Sequence, residues 1–375
     1  MSNLFPIGLA AGEGFCNRVK ERELLANNIK NTRHTVLISP RRYGKTSLVT
    51  EVIKSLDYPH CEMDFLLCGN PDAAQAIILE KVGQLLYKIL PKTSQLKKHM
   101  LNIFGKFRPE ISLTYHEVEM GVKLHKDKNQ SSDATTISDV LENLDKAAML
   151  AKKRVVIFMD EFQQIGLLGD QHVIEAAIRH AAERSKWVSY VFSGSNRHLL
   201  FQMFSDKKRP FYRLCDNFVI KRISESEHIL FIQKHAKSKW KKILDDDTMK
   251  IILRLSESHS YYINLICNYF WSNNIFPTAD KVESIWKKYV QNQRAIFSSD
   301  IADLSNNQKT VLKYFATHLI DQPYSKEVWL NTQLTPASLK QAITKLISID
   351  ILFIDDNGYV RVLDPAMKTF ICNDT

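Results

Sequence analysis

Ser39-Pro40-Arg41-Arg42-Tyr43-Gly44-Lys45-Thr46 lies between a short β-rich run, Thr35-Val36-Leu37-Ile38, and a segment from Ser47 to Ile53 whose apolar residues recur at helical spacing. A strand, a glycine-containing loop and a helix in that order build a cradle for phosphate. Backbone N–H groups point inward, a helix N-terminus lies behind them, and one ammonium and one hydroxyl complete the set. Gly44, Lys45 and Thr46 supply the turn, the ammonium and the hydroxyl. Such loops ordinarily open on glycine, whereas Ser39 stands there; a left-handed backbone at that serine would cost about 1–2 kcal/mol. A basic surface loop that spells Gly-Lys-Thr by chance is the plain alternative, and a second motif weighs against it.

That motif is Val155-Val156-Ile157-Phe158-Met159 followed by Asp160 and Glu161. An apolar run without alternation predicts a strand covered on both faces, and in open α/β sheets ligands bind at the carboxyl ends of the strands, where the two acids fall. Asp160 is suited to hold Mg²⁺ through water, and Glu161 to polarise the water that attacks a phosphoanhydride. A third apolar run, Trp187 to Phe192, leads into Ser193-Gly194-Ser195-Asn196. Ser195 and Asn196 are candidates as a pair for sensing a terminal phosphate, with a serine-rich turn after a core strand as the competing reading.

In order along the chain, these stretches resemble the archaeal-type AAA+/STAND P-loop ATPases, relatives of the origin-recognition ATPases. Phe15-Cys16-Asn17-Arg18, followed by Glu21, Glu23 and Leu24, is similar to the Phe-x-x-Arg segment that folds over adenine in that family. The paired arginines of the loop and the run Asp160-Glu161-Phe162-Gln163 are the most specific matches. The resemblance implies ATP or ADP with Mg²⁺ as ligands. Asn17, Arg18, Pro40, Arg41, Arg42, Tyr43, Gly44, Lys45, Thr46, Ser47, Ser195 and Asn196 would line the nucleotide, and Thr46 and Asp160 would hold the metal. Glu161, Asp160, Lys45 and Arg213 would take part in catalysis. Arg213, or its neighbour Arg209, falls where the family carries an arginine acting on the γ-phosphate either in cis or on a neighbouring subunit, the second of which would make a homo-oligomer. A solvated basic loop with Lys207 and Lys208 is the competing reading. Ser258-His259-Ser260-Tyr261-Tyr262 occupies the place of a Gly-His-Pro-Tyr-like motif but lacks its Gly and Pro.

The chain has 375 residues, 45% hydrophobic and 25% charged, enough for two or three domains. The N-terminus lacks a basic lead and an apolar core, and no stretch reaches about 18 apolar residues, so a cytoplasmic protein without membrane contact is expected. The six cysteines form no Cys-x-x-Cys pair. A net charge of +10 favours polyanions, although the bias is spread along the chain. Lys237-Ser238-Lys239-Trp240-Lys241-Lys242 reads either as a solvated helix face or as a basic stretch with an interleaved aromatic.

The expected architecture is α/β, a P-loop doubly wound parallel sheet over residues 1–220, then a helical lid over 221–298 and a C-terminal winged helix over 299–375. A hairpin within about 104–128 should project from the sheet, followed by a polar loop from Lys126 to Asp133. Near the C-terminus, Leu339, Ile343, Leu346 and Ile347 mark a helix face, and Asn357-Gly358 marks a hairpin turn. Lys340, Gln341, Thr344 and Lys345 are available to nucleic acid, while Asp355 and Asp356 make the wing tip acidic. The winged helix therefore implies either a DNA or a protein partner. Two functions follow: a nucleotide-controlled switch ATPase, or a DNA-binding initiator or regulator whose nucleotide sets conformation with little turnover.

Overall fold

The computed structural model describes residues 4–91, 94–107, 110–114, 119–124, 133–169, 172–355 and 357–373. The chain divides into two compact units, Arg18–Lys221, and Met1–Asn17 together with Arg222–Thr375. Each has its own hydrophobic core.

The Arg18–Lys221 unit holds strands β1 (Thr35–Ile38), β2 (His60–Asp64), β3 (Glu110–Thr114), β4 (Glu119–Lys123), β5 (Val155–Asp160), β6 (Val188–Gly194) and β7 (Asp216–Val219). Five of them form a parallel sheet in the order β2-β5-β6-β1-β7. Every residue of β1, β5 and β6 is buried, which is why these strands read as continuous apolar runs and not as alternating ones. The edge strand β7 alternates in burial. The order matters for the site because β6 separates the phosphate-loop strand β1 from the acidic strand β5. β6 also continues past its apolar run, since Ser193 and Gly194 stay in register with Leu37 and Ile38 of β1.

Phe162, the residue after Glu161, anchors the carboxyl end of β5. Its ring centroid lies 4.8 Å from that of Phe192 and 5.2 Å from that of Phe211. Phe204 closes the cluster at 5.3 Å from Phe192 and 5.0 Å from Phe211. Truncating a fully buried phenylalanine in such a cluster removes both transfer energy and packing. Phe162→Ala is expected to destabilise the protein by about 3–5 kcal/mol, read as a lowered midpoint in urea unfolding.

β3 and β4 pair antiparallel as a separate two-stranded sheet. The hairpin expected to project lies instead with β4 alongside the helix Pro71–Ile89. Its turn at 115–118 and the polar loop at 125–132 lie outside the described residues.

In the other unit, the helices Glu225–Trp240, Asp246–Ser256, Ser260–Ser272, Ala279–Asn292 and Arg294–Ala302 surround buried Tyr262, Phe270 and Trp286. A capping box at Ser224 and Glu227 starts the first of them. The N-terminal segment belongs to this core: Phe5 is fully buried, its ring 4.5 Å from Trp271 and 5.5 Å from Phe231. Asn264 and Asn268 donate to the Pro6 and Phe5 carbonyls, each at 2.9 Å. Trp240 packs on Trp271 at 4.5 Å and Phe276 at 5.5 Å, so the aromatic of the basic stretch is a core contact and not a stacking platform.

The chain ends with the helices Asn306–Thr317, Lys326–Asn331 and Pro336–Ser348, the antiparallel strands β8 (Leu352–Ile354) and β9 (Val360–Val362), and the helix Pro365–Asn373. Ile320 bridges Val360 antiparallel. Three helices are thus followed by a β-hairpin and a further helix. Asp355 at the hairpin tip is not a loose negative charge: it accepts from the Asn357 and Tyr359 N–H groups and pairs with Arg361 Nε at 2.6 Å. Asp356 lies outside the described residues. Among the described residues, no disulfide joins any of the six cysteines and no helix is long and apolar enough to cross a membrane.

Candidate functional site

The phosphate loop runs from β1 into the helix Lys45–Leu56, whose N-cap Gly44 is left-handed at φ 84° and gives no side-chain cap. The N–H groups of that first turn are therefore presented to whatever sits in the loop. Ser39 does not adopt the left-handed conformation; the non-glycine residue of the loop that does is Arg42, at φ 64°. Serine at the opening position thus carries no backbone strain, and the strain falls on Arg42, at about 1–2 kcal/mol for a non-glycine residue. Arg41 and Arg42 are exposed, whereas Pro40, Tyr43, Lys45 and Ser47 are buried. Lys45 Nζ curls back to donate to the carbonyls of Ser39 at 3.0 Å and Pro40 at 2.9 Å.

β5 delivers Asp160 to the same edge of the sheet. Thr46 Oγ1 donates to Asp160 Oδ2 at 2.7 Å, so the first turn of the loop helix and the end of β5 meet across the intervening β6. The other carboxylate oxygen accepts from the Ser193 hydroxyl and from Glu161 N at 2.9 Å. Sequence reasoning passed over Ser193; the continued pairing of β6 with β1 puts it here. Glu161 then turns left-handed at φ 50°, which ends the strand abruptly and swings its side chain toward the tip of β6. Its Oε2 accepts from Ser195 Oγ at 2.8 Å, Ser195 N at 3.4 Å and Gln163 Nε2 at 2.5 Å. Asn196 caps the helix Arg197–Ser205, accepting from Leu199 N at 3.0 Å.

Thr46 and Asp160 bring together a hydroxyl and a carboxylate that could hold a divalent cation. Mg²⁺ keeps water and substrate phosphate in most of its positions. The Thr46 hydroxyl would fill one of the others, and its bond to Asp160 leaves that carboxylate to reach the ion through water, as the sequence reading expects. Among the described residues, no cluster of His, Cys, Asp and Glu forms a dedicated cage.

The remaining expected residues make other contacts. Arg18 is buried at φ 58° and donates to the Tyr43 carbonyl at 2.9 Å, the Lys221 carbonyl at 3.0 Å and Glu21 at 3.1 Å. Asn17 donates to Glu227 Oε1 at 2.5 Å within the other unit. His259 is buried and caps the helix Ser260–Ser272. The two candidate arginines differ. Arg209 pairs with buried Glu175 at 2.6 Å and lies 3.2 Å from His172, which itself bonds Glu175 at 3.1 Å. Burial pushes the Glu175 carboxyl up, and Arg209 and His172 draw it back. Arg213 is exposed, with its guanidinium 5.1 Å from the Tyr212 ring centroid.

No family model matches the sequence, and no curated protein matches it. Solved structures do. A Walker-type ATPase of Pyrococcus abyssi superposes with a TM-score of 0.66 at 16% identity, over 98% of this chain and 99% of the other. At that identity the likeness shows a shared fold. The ORC2 protein of Aeropyrum pernix, in its ADPNP–ADP complexes, superposes with a TM-score of 0.54 at 11% identity over 99% of this chain and 98% of that one. Its ADP form gives 0.51 at 11% identity, over 97% of each chain.

Proposed function

We propose that this chain is an AAA+/STAND-type ATPase that binds ATP with Mg²⁺ on the loop Ser39–Ser47 and uses its hydrolysis as a conformational switch. The observation that carries the reading is the Thr46–Asp160 bond of 2.7 Å across β6, with Glu161 held at the same edge. Lys45 exchanges its two carbonyl partners for β- and γ-phosphate oxygens, a stronger charge-assisted pairing. Thr46 and Asp160 would hold Mg²⁺, which when bound would supply charge neutralisation at the phosphates. Glu161 accepts a proton from water as the water oxygen bonds to the γ-phosphorus and the bond to the bridging oxygen breaks, releasing ADP and phosphate. Ser195 orients Glu161, while Arg213, exposed and unlike Arg209 outside the Glu175 pair, is the arginine for the γ-phosphate. Arg18 borders the base. Phosphate release from ATP by wild type and Lys45→Ala tests the reading.

The switch is supported by Arg18. Arg18 and Lys221 are the first and last residues of their unit, and one guanidinium nitrogen holds both the Tyr43 carbonyl of the loop and the Lys221 carbonyl. A nucleotide that shifts the loop backbone is felt at both ends of the unit. Residues 222–298 are then the lid, one residue shorter than the sequence expectation of 221–298, and 299–375 the winged helix.

A second reading, DNA binding, is favoured by one observation. The helices Asn306–Thr317 and Pro336–Ser348 border an open groove of about 860 Å³ lined by Asn307, Gln308, Lys340, Gln341, Thr344 and Lys345. These are phosphate- and base-edge-binding side chains on one surface. Under this reading, the double variant Lys340→Ala/Lys345→Ala weakens duplex DNA binding across sequences and lowers the salt slope by about 2. Fluorescence anisotropy between about 50 and 200 mM salt reads it, and an unchanged slope removes the groove from the account.

A further inference from the structure

Gln163 is 2% exposed on the short turn Phe162–Leu167, a position where an apolar side chain would ordinarily fill the core. Its amide has one arrangement open to it. The Glu161 carboxylate accepts hydrogen bonds, so the amide nitrogen must face it, and Nε2 does so at 2.5 Å. The amide oxygen is thereby turned away and is buried without a hydrogen-bond partner among the described residues. An unpartnered buried acceptor costs about 1–3 kcal/mol, so packing alone is a poor reason for glutamine here. The oxygen lies against Gly194, where an added Cβ would sit 1.8 Å from Gln163 Oε1. Gly194 is not among the residues with left-handed backbone, so its lack of a side chain answers to space and not to φ.

We infer that Gln163 is a positioning residue for Glu161, and that Gly194 at the end of β6 makes the room that lets it act. Gln163 Nε2 and Ser195 gather on one oxygen, Oε2, and hold the carboxylate so that Oε1 meets the water. The inference rests on Glu161 acting as the base. A misplacement of about 1 Å in such a group can cost about 100-fold in rate.

ATP turnover, affinity for a non-hydrolysable ATP analogue and thermal midpoint are to be measured on wild type, Gln163→Leu, Gly194→Ala, Glu161→Gln and the double variant Glu161→Gln/Gln163→Leu. Gln163→Leu is expected to lower kcat about 10- to 100-fold with analogue affinity within about twofold of wild type. Gly194→Ala is expected to do the same, because the atom its methyl meets is the far end of the Gln163 side chain, which moves while the backbone stays. In the Glu161→Gln background, Gln163→Leu is expected to add no further loss, since both changes act through one group. Losses that multiply in the double variant, or a kcat unchanged in both Gln163→Leu and Gly194→Ala, would overturn the positioning role while leaving Glu161 as base. Turnover unchanged in Glu161→Gln would overturn both.

Discussion

Lys45→Ala is expected to abolish ATP turnover and to weaken nucleotide binding by about 100-fold, roughly 2.7 kcal/mol. Lys45 is 6% exposed, and its ammonium donates to the Ser39 and Pro40 carbonyls inside the loop, at 3.0 and 2.9 Å. In the proposed site, phosphate oxygens would be a stronger, charge-assisted partner for this ammonium than neutral carbonyls. Alanine removes the charge that offsets two adjoining phosphates and leaves the two carbonyls facing an anion. Calorimetric titration with ATP reads the loss, and a retained thermal midpoint separates it from misfolding. Binding within threefold of wild type, roughly 0.7 kcal/mol, would place the phosphates elsewhere.

Glu161→Gln is expected to act on a different step, lowering turnover about 10²–10⁴-fold while ATP still binds. Glutamine keeps the size of the side chain and an oxygen able to accept from Ser195 and Gln163, but it cannot take a proton from water. The split between lost kcat and retained affinity is the signature of a group that works in the transition state. An equal fall in affinity would assign Glu161 to nucleotide binding instead.

The sheet strands were legible because burial on both faces leaves a continuous apolar run. Thr35 to Ile38 and Val155 to Asp160 appear where the sequence put them. The phosphate loop was legible through Gly44, Lys45 and Thr46, whose chemistry is local. What sequence could not give was the neighbourhood made by strand order. Ser193 belongs with Asp160, and Gln163 with Gly194, only because β6 lies beside β5, a pairing between segments about 30 residues apart in sequence. The concern over Ser39 dissolved for a similar reason: which residue of the loop turns left-handed depends on the whole loop path, and Arg42 takes that role. Arg209 and Arg213 read alike in sequence, and only the buried Glu175 tells them apart. Likewise, Trp240 sits among lysines in sequence yet packs its ring against Trp271.

Phosphate release from ATP under single-turnover conditions, for the purified chain with Mg²⁺, with Mg²⁺ removed by chelation, and for Lys45→Ala, addresses the nucleotide site most directly. Release by wild type that requires Mg²⁺ and vanishes in Lys45→Ala is the predicted result. Release that persists undiminished in Lys45→Ala, or none from wild type with ATP and Mg²⁺ bound, would contradict it.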